Sequence, residues 1–233
     1  MPRTKTQRLG QHFLADRSVL ERIVQSCDLS GTETICEAGT GTGVLTKELC
    51  KRAGRVLSYE VDKDLFLRAK SMDASNLELV NRDIFRERDV EFDVFVSNLP
   101  YSKSREAFEW LAASKFDRAI VMVQKEFAEK LRARPGEKNY RAISAIASYC
   151  FAIEPLFDVG AYAFEPRPKV ESTVLKLTPA RTASKQQIRN TKLLFSKRNK
   201  KASTVAAKMG VKADFGQRRV FQLAPAEIME LAL

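Results

Sequence analysis

The stretch Glu37-Ala-Gly39-Thr-Gly41-Thr-Gly43 decides the fold, because it joins a short apolar strand pattern at Thr34–Cys36 to a helix pattern that opens at Val44. Glycines at such a turn let the backbone approach a ligand closely and expose the amides at the start of the helix. The third glycine comes one residue too early for the G-x-G-x-x-G of a dinucleotide site, and the Gly-Lys-Ser/Thr ending of a P-loop is absent. The turn therefore predicts a ligand of another kind.

Acidic residues at the ends of three successive predicted strands indicate which ligand this is. Glu37 would repel a pyrophosphate, whereas S-adenosylmethionine carries a sulfonium and an ammonium, and E-x-G-x-G-x-G at the first strand end is common among proteins that bind it. Glu60, in LSYEVD, can accept hydrogen bonds from both ribose hydroxyls, and Asp83, in LVNRDIF, is placed to meet the adenine amino group. The sequence thus predicts S-adenosylmethionine as cofactor, held around Glu37, Gly39, Gly41, Gly43, Glu60 and Asp83.

Short apolar runs alternate with amphipathic stretches through the first three quarters of the chain. This alternation is typical of an α/β fold with an open, doubly wound, mostly parallel sheet covered on both faces. After Leu177 only helical spacing is found, as at Ile188, Leu194 and Phe195, and Pro225 opens a last helix. We predict a Rossmann-like domain over residues 1–178 and a small basic helical domain over 179–233. The predicted strands are Thr34–Cys36, Val56–Tyr59, Leu77–Val80, Asp93–Val96, Ala119–Val123 and Thr173–Leu177.

The positive charge of the chain is concentrated in the predicted helical domain. The net charge is +11, of which residues 180–233 carry +9 and the first 179 residues only +2. Such a concentration favours a polyanionic partner, above all nucleic acid, over the alternative of a solvated helical face. The segment Leu194-Phe-Ser-Lys-Arg-Asn-Lys-Lys201 holds the densest group of cations, and it predicts RNA-binding residues Lys197, Arg198, Lys200 and Lys201.

Composition excludes several other classes of protein. The only histidine is His12, and the four cysteines lack C-x-x-C spacing, so neither a metal site nor a Ser-His-Asp triad is expected. No apolar run approaches the ~20 residues of a membrane span, and the first ten residues lack the apolar core of a signal peptide. We expect a reduced, cytoplasmic protein without a membrane partner.

The turn Asn98-Leu-Pro-Tyr101 follows the fourth predicted strand and has the residues that amine methylation needs. The 6-amino group of adenine is a poor nucleophile, because its lone pair is delocalised into the ring. The Asn98 side-chain oxygen and the Leu99 carbonyl can accept its N–H bonds, Pro100 fixes the turn, and Tyr101 offers a ring on which an unpaired base can stack. The turn predicts an S-adenosylmethionine-dependent amino methyltransferase.

Four motifs together resemble the ribosomal RNA adenine dimethyltransferase family, in its small-subunit branch. They are Gly10-Gln-His-Phe-Leu14, Glu37–Gly43, Asn98–Tyr101 and Phe164-Glu-Pro-Arg-Pro-Lys-Val-Glu-Ser172. The resemblance implies dimethylation of two adjacent adenosines near the 3′ end of small-subunit rRNA, within a pre-assembled subunit, by a monomer. It also implies cofactor contacts from His12, Leu14, Gly39, Glu60, Asp83 and Asn98, and stacking of Phe164 on the target base opposite Tyr101.

Three other functions are alternatives to this one. The sister branch methylates large-subunit rRNA and has much the same N-x-P-Y and P-x-P-x-V motifs, but the Gly10–Leu14 opening favours the small-subunit branch. A binding protein could use the same fold as an assembly or transcription factor, although the intact Asn98–Tyr101 turn argues for retained chemistry. A DNA adenine methyltransferase would more commonly have Pro-Pro where this chain has Leu99-Pro100.

Overall fold

Strands and helices alternate along the chain in the computed structural model, which describes residues 12–233. Gly10 and Gln11 of the opening motif lie outside the described residues. In chain order the elements are β1 Phe13–Leu14, α1 Arg17–Ser26, β2 Thr34–Ala38, α2 Val44–Cys50, β3 Arg55–Tyr59, α3 Lys63–Ala69, β4 Leu77–Val80, β5 Val94–Asn98, α4 Ser104–Ala112, β6 Arg118–Gln124, α5 Lys125–Leu131, α6 Ala142–Cys150, β7 Phe151–Val159, β8 Phe164–Glu165, β9 Ser172–Pro179, α7 Lys185–Ser196, α8 Ala202–Lys208 and α9 Pro225–Leu231.

Seven of these strands form one sheet in the order β4-β3-β2-β5-β6-β9-β7. The pairs β2–β3, β3–β4, β2–β5 and β5–β6 are parallel, whereas β6 and β9 are antiparallel. All six predicted strands are present, and the prediction of a doubly wound α/β fold is confirmed. Because β5 lies on the other side of β2 from β3, the strand order reverses beside β2, which is where such folds bind ligands.

Local signals in the sequence set several helix boundaries. The Asp16 carboxylate accepts hydrogen bonds from the backbone N–H groups of Ser18 and Val19, and it thereby caps α1. Ser184 caps α7 through the N–H of Gln187, whose side chain accepts from the N–H of Ser184 in return. Pro225 is the first residue of α9, where its missing N–H costs no helical hydrogen bond.

The described chain divides into two compact units that are not consecutive in sequence. The first holds the chain up to Ala107 together with Lys115–Lys125 and Glu154–Thr178, and the second holds Phe108–Ser114, Glu126–Ile153 and Pro179–Leu233. The chain therefore changes units at the predicted boundary of 178/179, but the second unit is larger than residues 179–233. The reason is packing, since α6 contacts both α7 and α9.

Each unit has its own hydrophobic core. In the first, α1 packs against the sheet through Val19, Ile23 and Val24. In the second, Tyr140 is fully buried, packs edge-on against Phe195 at 5.4 Å between ring centroids, and donates its hydroxyl to the Leu223 carbonyl. None of the helices in residues 12–233 combines the length and apolar composition that a membrane crossing requires.

Candidate active site

A cavity of the first unit opens at the carboxyl ends of β2, β3 and β5 and encloses about 1020 Å³, counting space open to solvent. Most of the predicted site residues line it, although they come from five separate segments of the chain. Glu37, Gly43 and Phe164 do not. The predicted residues that line the cavity are His12, Leu14, Gly39, Gly41, Glu60, Asp83, Asn98, Leu99, Pro100 and Tyr101.

The glycine turn wraps one side of the cavity. Gly39 has φ +86°, and no atom lies within 4 Å of the place where a Cβ would project, so the cavity wall is bare backbone there. Gly43 begins α2 with φ +79°, and a Cβ on it would meet the Met72 sulfur at 2.7 Å. Gly39 thus keeps the site open, whereas Gly43 serves the packing beneath it.

Glu60 ties the glycine turn to the end of β3. Its Oε2 accepts the N–H of Gly41 at 2.9 Å, and its Oε1 accepts the N–H of Asp62 at 2.8 Å. Each carboxylate oxygen keeps a further lone pair, and the side chain lines the cavity although it is almost fully buried. Glu60 can therefore accept two more hydrogen bonds from a ligand while it holds the turn.

Asp83 is held on the opposite side by a lysine that the sequence analysis missed. Asp83 accepts the N–H of Phe85 at 3.1 Å and the Lys103 ammonium at 2.9 Å. Lys103 also bonds Glu106 at 2.7 Å; burial acts to lower the pKa of Lys103, but these two carboxylates raise it overall. Lys103 lies two residues after Tyr101, so its ammonium links Asp83 to the segment that follows the Asn98–Tyr101 turn.

Glu37 lies beneath the cavity rather than on its wall. It is fully buried, and its Oε2 accepts the hydroxyls of Thr46 at 2.7 Å and Ser58 at 2.6 Å, while Oε1 has no hydrogen-bond partner. Burial raises the pKa of Glu37 to about 7, against the lowering effect of the two hydroxyls. Glu37 does not line the cavity, and its hydrogen bonds join the start of α2 to β3. Its place among the residues that hold the cofactor stays a prediction, as a buried acid beneath the cavity.

The raised pKa of Glu37 predicts a pH dependence of stability. Between its ordinary value of 4.5 and about 7, the folded protein holds a proton that the unfolded chain has lost, so stability falls as pH rises through this window. The loss is roughly 3 kcal/mol for a shift of this size. The free energy of unfolding can be measured by urea titration at pH values from 4.5 to 8. Over this range the difference in free energy of unfolding between Glu37→Gln and wild type should rise by that amount in favour of the variant. If the free energies of unfolding of the two proteins change with pH in the same way, the pKa of Glu37 is not raised in the folded state.

The Asn98 side chain is oriented by the chain segment that opens the described structure. Asn98 Nδ2 donates to the His12 carbonyl at 3.0 Å. A carbonyl can only accept, so the amide nitrogen is fixed on that side and Oδ1 is the atom presented elsewhere. The Leu99 N–H donates to the Met122 carbonyl at 3.2 Å, which anchors the turn to β6.

The Tyr101 ring is held at its face and at its hydroxyl. The His12 ring lies 5.4 Å from it between centroids, tilted by 33°, and His12 Nδ1 donates to the Pro166 carbonyl at 2.7 Å. The Tyr101 hydroxyl lies 3.1 Å from the Ser172 hydroxyl. Burial raises the pKa of the Tyr101 phenol, against the lowering effect of the hydrogen bond with Ser172.

Phe164 does not face Tyr101 across the cavity. It is 3% exposed and belongs to the core of the first unit, packed with Val159, Ala163 and Val174. Phe164 is not among the residues that line the cavity, so the structure gives no support to a base sandwich between it and Tyr101. The backbone of Phe164 pairs with Leu14 in the short β1–β8 ladder, which places the cavity-lining segment of His12–Leu14. Its ring is a core aromatic before the Pro-x-Pro turn.

The predicted RNA-binding residues lie in the second unit and differ from one another. Lys197, Lys200 and Lys201 are exposed, and we call them the lysine cluster. Arg198 lies over the Phe221 ring at 4.9 Å and donates to the Lys138 carbonyl at 3.3 Å; burial lowers its pKa, as does nearby Arg141. Arg198 thus holds segments of the unit together, and we leave it out of the RNA-binding surface.

Comparisons with known proteins identify the family of this chain. The family model for "Ribosomal RNA adenine dimethylase" matches residues 3–229. "Probable ribosomal RNA small subunit methyltransferase A" of Thermococcus onnurineus is 35% identical, over 96% of this chain and 89% of that protein.

A dimethyladenosine transferase from Plasmodium falciparum has a similar structure, with a TM-score of 0.78 and 23% identity over 94% of this chain and 96% of that one. The 23S rRNA methyltransferase ErmE follows with a TM-score of 0.64 and 26% identity, over 94% and 98%. The resemblance predicted from the sequence is confirmed, and the chain belongs to the ribosomal RNA adenine dimethylase family.

Proposed function

We propose that this protein transfers methyl groups from S-adenosylmethionine to the 6-amino groups of two adjacent adenosines near the 3′ end of small-subunit rRNA. The observation that carries the proposal is the fixed Asn98 amide in a cavity lined by Glu60 and Asp83. The curated relative named above acts, by its name, on the small subunit. We further propose that the enzyme works as a monomer in the cytoplasm, on a pre-assembled small subunit.

The charges around the cavity fit the cofactor. S-adenosylmethionine brings an activated methyl group on a sulfonium, and its net positive charge suits a site with two acids, Glu60 and Asp83, on the wall. Glu60 has lone pairs for the ribose hydroxyls, and Asp83 can accept the adenine amino group. The bare backbone at Gly39 leaves room for close approach.

Asn98 would position the target amine. With Nδ2 fixed on the His12 carbonyl, Oδ1 accepts one N–H of the target, and the Leu99 carbonyl accepts the other. Both bonds draw the nitrogen toward a tetrahedral geometry and direct its lone pair at the methyl group. The nitrogen becomes acidic as its bond to carbon forms, so the proton can leave to water without a strong base. Positioning and electrostatics supply the rate enhancement.

Tyr101 would hold the flipped base. Its ring forms part of the cavity wall directly after Pro100, and base stacking on an aromatic ring contributes roughly 1–3 kcal/mol. With Phe164 buried in the core, Tyr101 is the aromatic side chain that we assign to this contact.

The lysine cluster would supply affinity for rRNA phosphates. Replacing Lys197, Lys200 and Lys201 with Gln should flatten the plot of log affinity against log salt concentration by about 2–3, since each phosphate contact contributes about 0.7–0.9 to the slope. The control replaces the exposed Lys47, Lys51 and Lys70 of the first unit, which removes the same charge. Equal salt slopes in the two variants would show that net charge, and not the cluster, determines binding.

Two other functions stay open to test. The similarity to ErmE suits methylation of large-subunit rRNA, and a binding role without catalysis suits the basic second unit. Incubation with labelled S-adenosylmethionine and undermethylated small subunits, large subunits or naked rRNA, followed by nucleoside mapping, separates them. We expect dimethyladenosine in small subunits. Label in large subunits would favour the sister activity, and binding without label would favour the assembly role.

A further inference from the structure

The hydroxyl of Ser172 lies 3.1 Å from the hydroxyl of Tyr101, in the wall of the proposed target site. Ser172 is fully buried and does not line the cavity, so it does not touch substrate or cofactor itself. It ends the Phe164–Ser172 motif, whose aromatic residue proved to be a core residue. This motif therefore contacts Tyr101 directly through the Ser172 hydroxyl and not through the Phe164 ring.

The topology explains why a serine at this position can reach the site. Strand β9 runs antiparallel to β6, and Ser172, its first residue, pairs with Gln124, the last residue of β6. The start of β9 consequently lies at the carboxyl edge of the parallel strands, beside the turn that follows β5. Residues further along β9 pair with residues nearer the start of β6, away from that edge.

The same motif also reaches Tyr101 from its face. The Pro166 carbonyl accepts a hydrogen bond from His12, and the His12 ring lies against the Tyr101 ring. Tyr101 is thus held by two contacts of different kinds. The His12 ring limits its tilt, and the Ser172 hydroxyl fixes where the far end of the phenol lies.

We propose that Ser172 is a positioning residue for methyl transfer, acting through the Tyr101 hydroxyl to set the angle of the ring on which the target adenine stacks. The proposal rests on the function proposed above, because it takes Tyr101 as the stacking surface. A misdirected ring would weaken capture of the target base, and it would leave the cofactor side of the cavity unchanged.

The test is a double-mutant cycle with Ser172→Ala, Tyr101→Phe and the two combined. Each single variant should raise the KM for undermethylated small subunits about fivefold, the equivalent of one neutral hydrogen bond, and the double variant should be no worse than either. The Kd for S-adenosylmethionine should stay at the wild-type value. The double variant should have a higher melting temperature than Tyr101→Phe alone. Tyr101→Phe leaves the buried Ser172 hydroxyl without this partner, and Ser172→Ala removes that hydroxyl.

Thr173→Val is the matched control, since the neighbouring Thr173 hydroxyl donates to Asp158 at 2.7 Å, a contact separate from Tyr101. It should lower the melting temperature without changing KM. If Ser172→Ala does not fold, Tyr101→Phe removes the same bond from the other end. Additive effects, or an unchanged KM in Ser172→Ala beside an active wild type, would overturn this proposal alone. A wild type that methylates no RNA would overturn it together with the proposed function.

Discussion

Replacing Asn98 with Ala should lower turnover on undermethylated small subunits by about 10²–10³-fold, the effect typical of removing one preorganised hydrogen bond to the reacting group. The variant removes the Oδ1 acceptor and also the Nδ2 bond to the His12 carbonyl. Because we assign the cofactor's ribose to Glu60 and its adenine to Asp83, and not to the Asn98 side chain, we expect its Kd to change only by a modest factor. Single-turnover methylation and calorimetry measure the two quantities separately.

Asn76→Ala provides the control for the Asn98 experiment. Asn76 is also a partly buried asparagine, and its Nδ2 donates to the carbonyls of Cys50 and Ala53, away from the cavity. It should cost stability without affecting transfer. Near-wild-type turnover in Asn98→Ala would remove the amine-positioning role, and the mechanism would then rest on the Leu99 carbonyl and on stacking.

The sequence predicted the sheet because its inner strands are buried on both faces and therefore form apolar runs. It missed β7, which is buried only at its two ends, Phe151 and Val159, and includes Pro155 and charged Glu154 and Asp158. Such a pattern is typical of an edge strand, and β7 lies at the end of the sheet. A search for apolar runs cannot detect a strand that has water on one side.

The site acids could be predicted because parallel strands end at one edge, so Glu60 and Asp83 had to meet there. Their partners could not be predicted. Lys103 bonds Asp83 from 20 positions away, and Ser172 bonds Tyr101 from 71 positions away. These contacts depend on where loops and the antiparallel strand β9 lie, and nothing in the local pattern around each residue encodes that.

Residue type alone also did not separate functional from structural side chains. Phe164 and Arg198 stand in motifs with a clear chemical meaning, yet each is packed against remote residues of its own unit. Phe164 belongs to the hydrophobic core of the first unit, and the Arg198 guanidinium lies over the Phe221 ring. Aromatic and cationic side chains occur both in packed interiors and on binding surfaces, and the sequence does not show which of these places a given side chain takes. Only the structure shows its burial.

Glu60→Gln should weaken binding of S-adenosylmethionine by about ten- to a hundredfold, which corresponds to about 1.5–3 kcal/mol for a hydrogen bond to a charged group. The carboxylate accepts an N–H on each oxygen, from Gly41 and from Asp62. A glutamine has one oxygen, so its amide nitrogen must face one of these donors, and the charge offered to the ribose hydroxyls is lost.

The substitution Glu60→Gln can weaken binding in two ways: it can release the glycine turn, or it can remove the hydrogen bonds to the ribose hydroxyls. A ligand that lacks one ribose hydroxyl distinguishes these two effects. Wild type should prefer S-adenosylhomocysteine over its 2′-deoxy analogue, and Glu60→Gln should lose this preference if the carboxylate accepts from the hydroxyl. Glu78→Gln, which breaks only the exposed pair with Arg55, is the control and should bind both ligands as wild type does. If Glu60→Gln binds both ligands more weakly but keeps the preference, Glu60 braces the turn without touching the ribose.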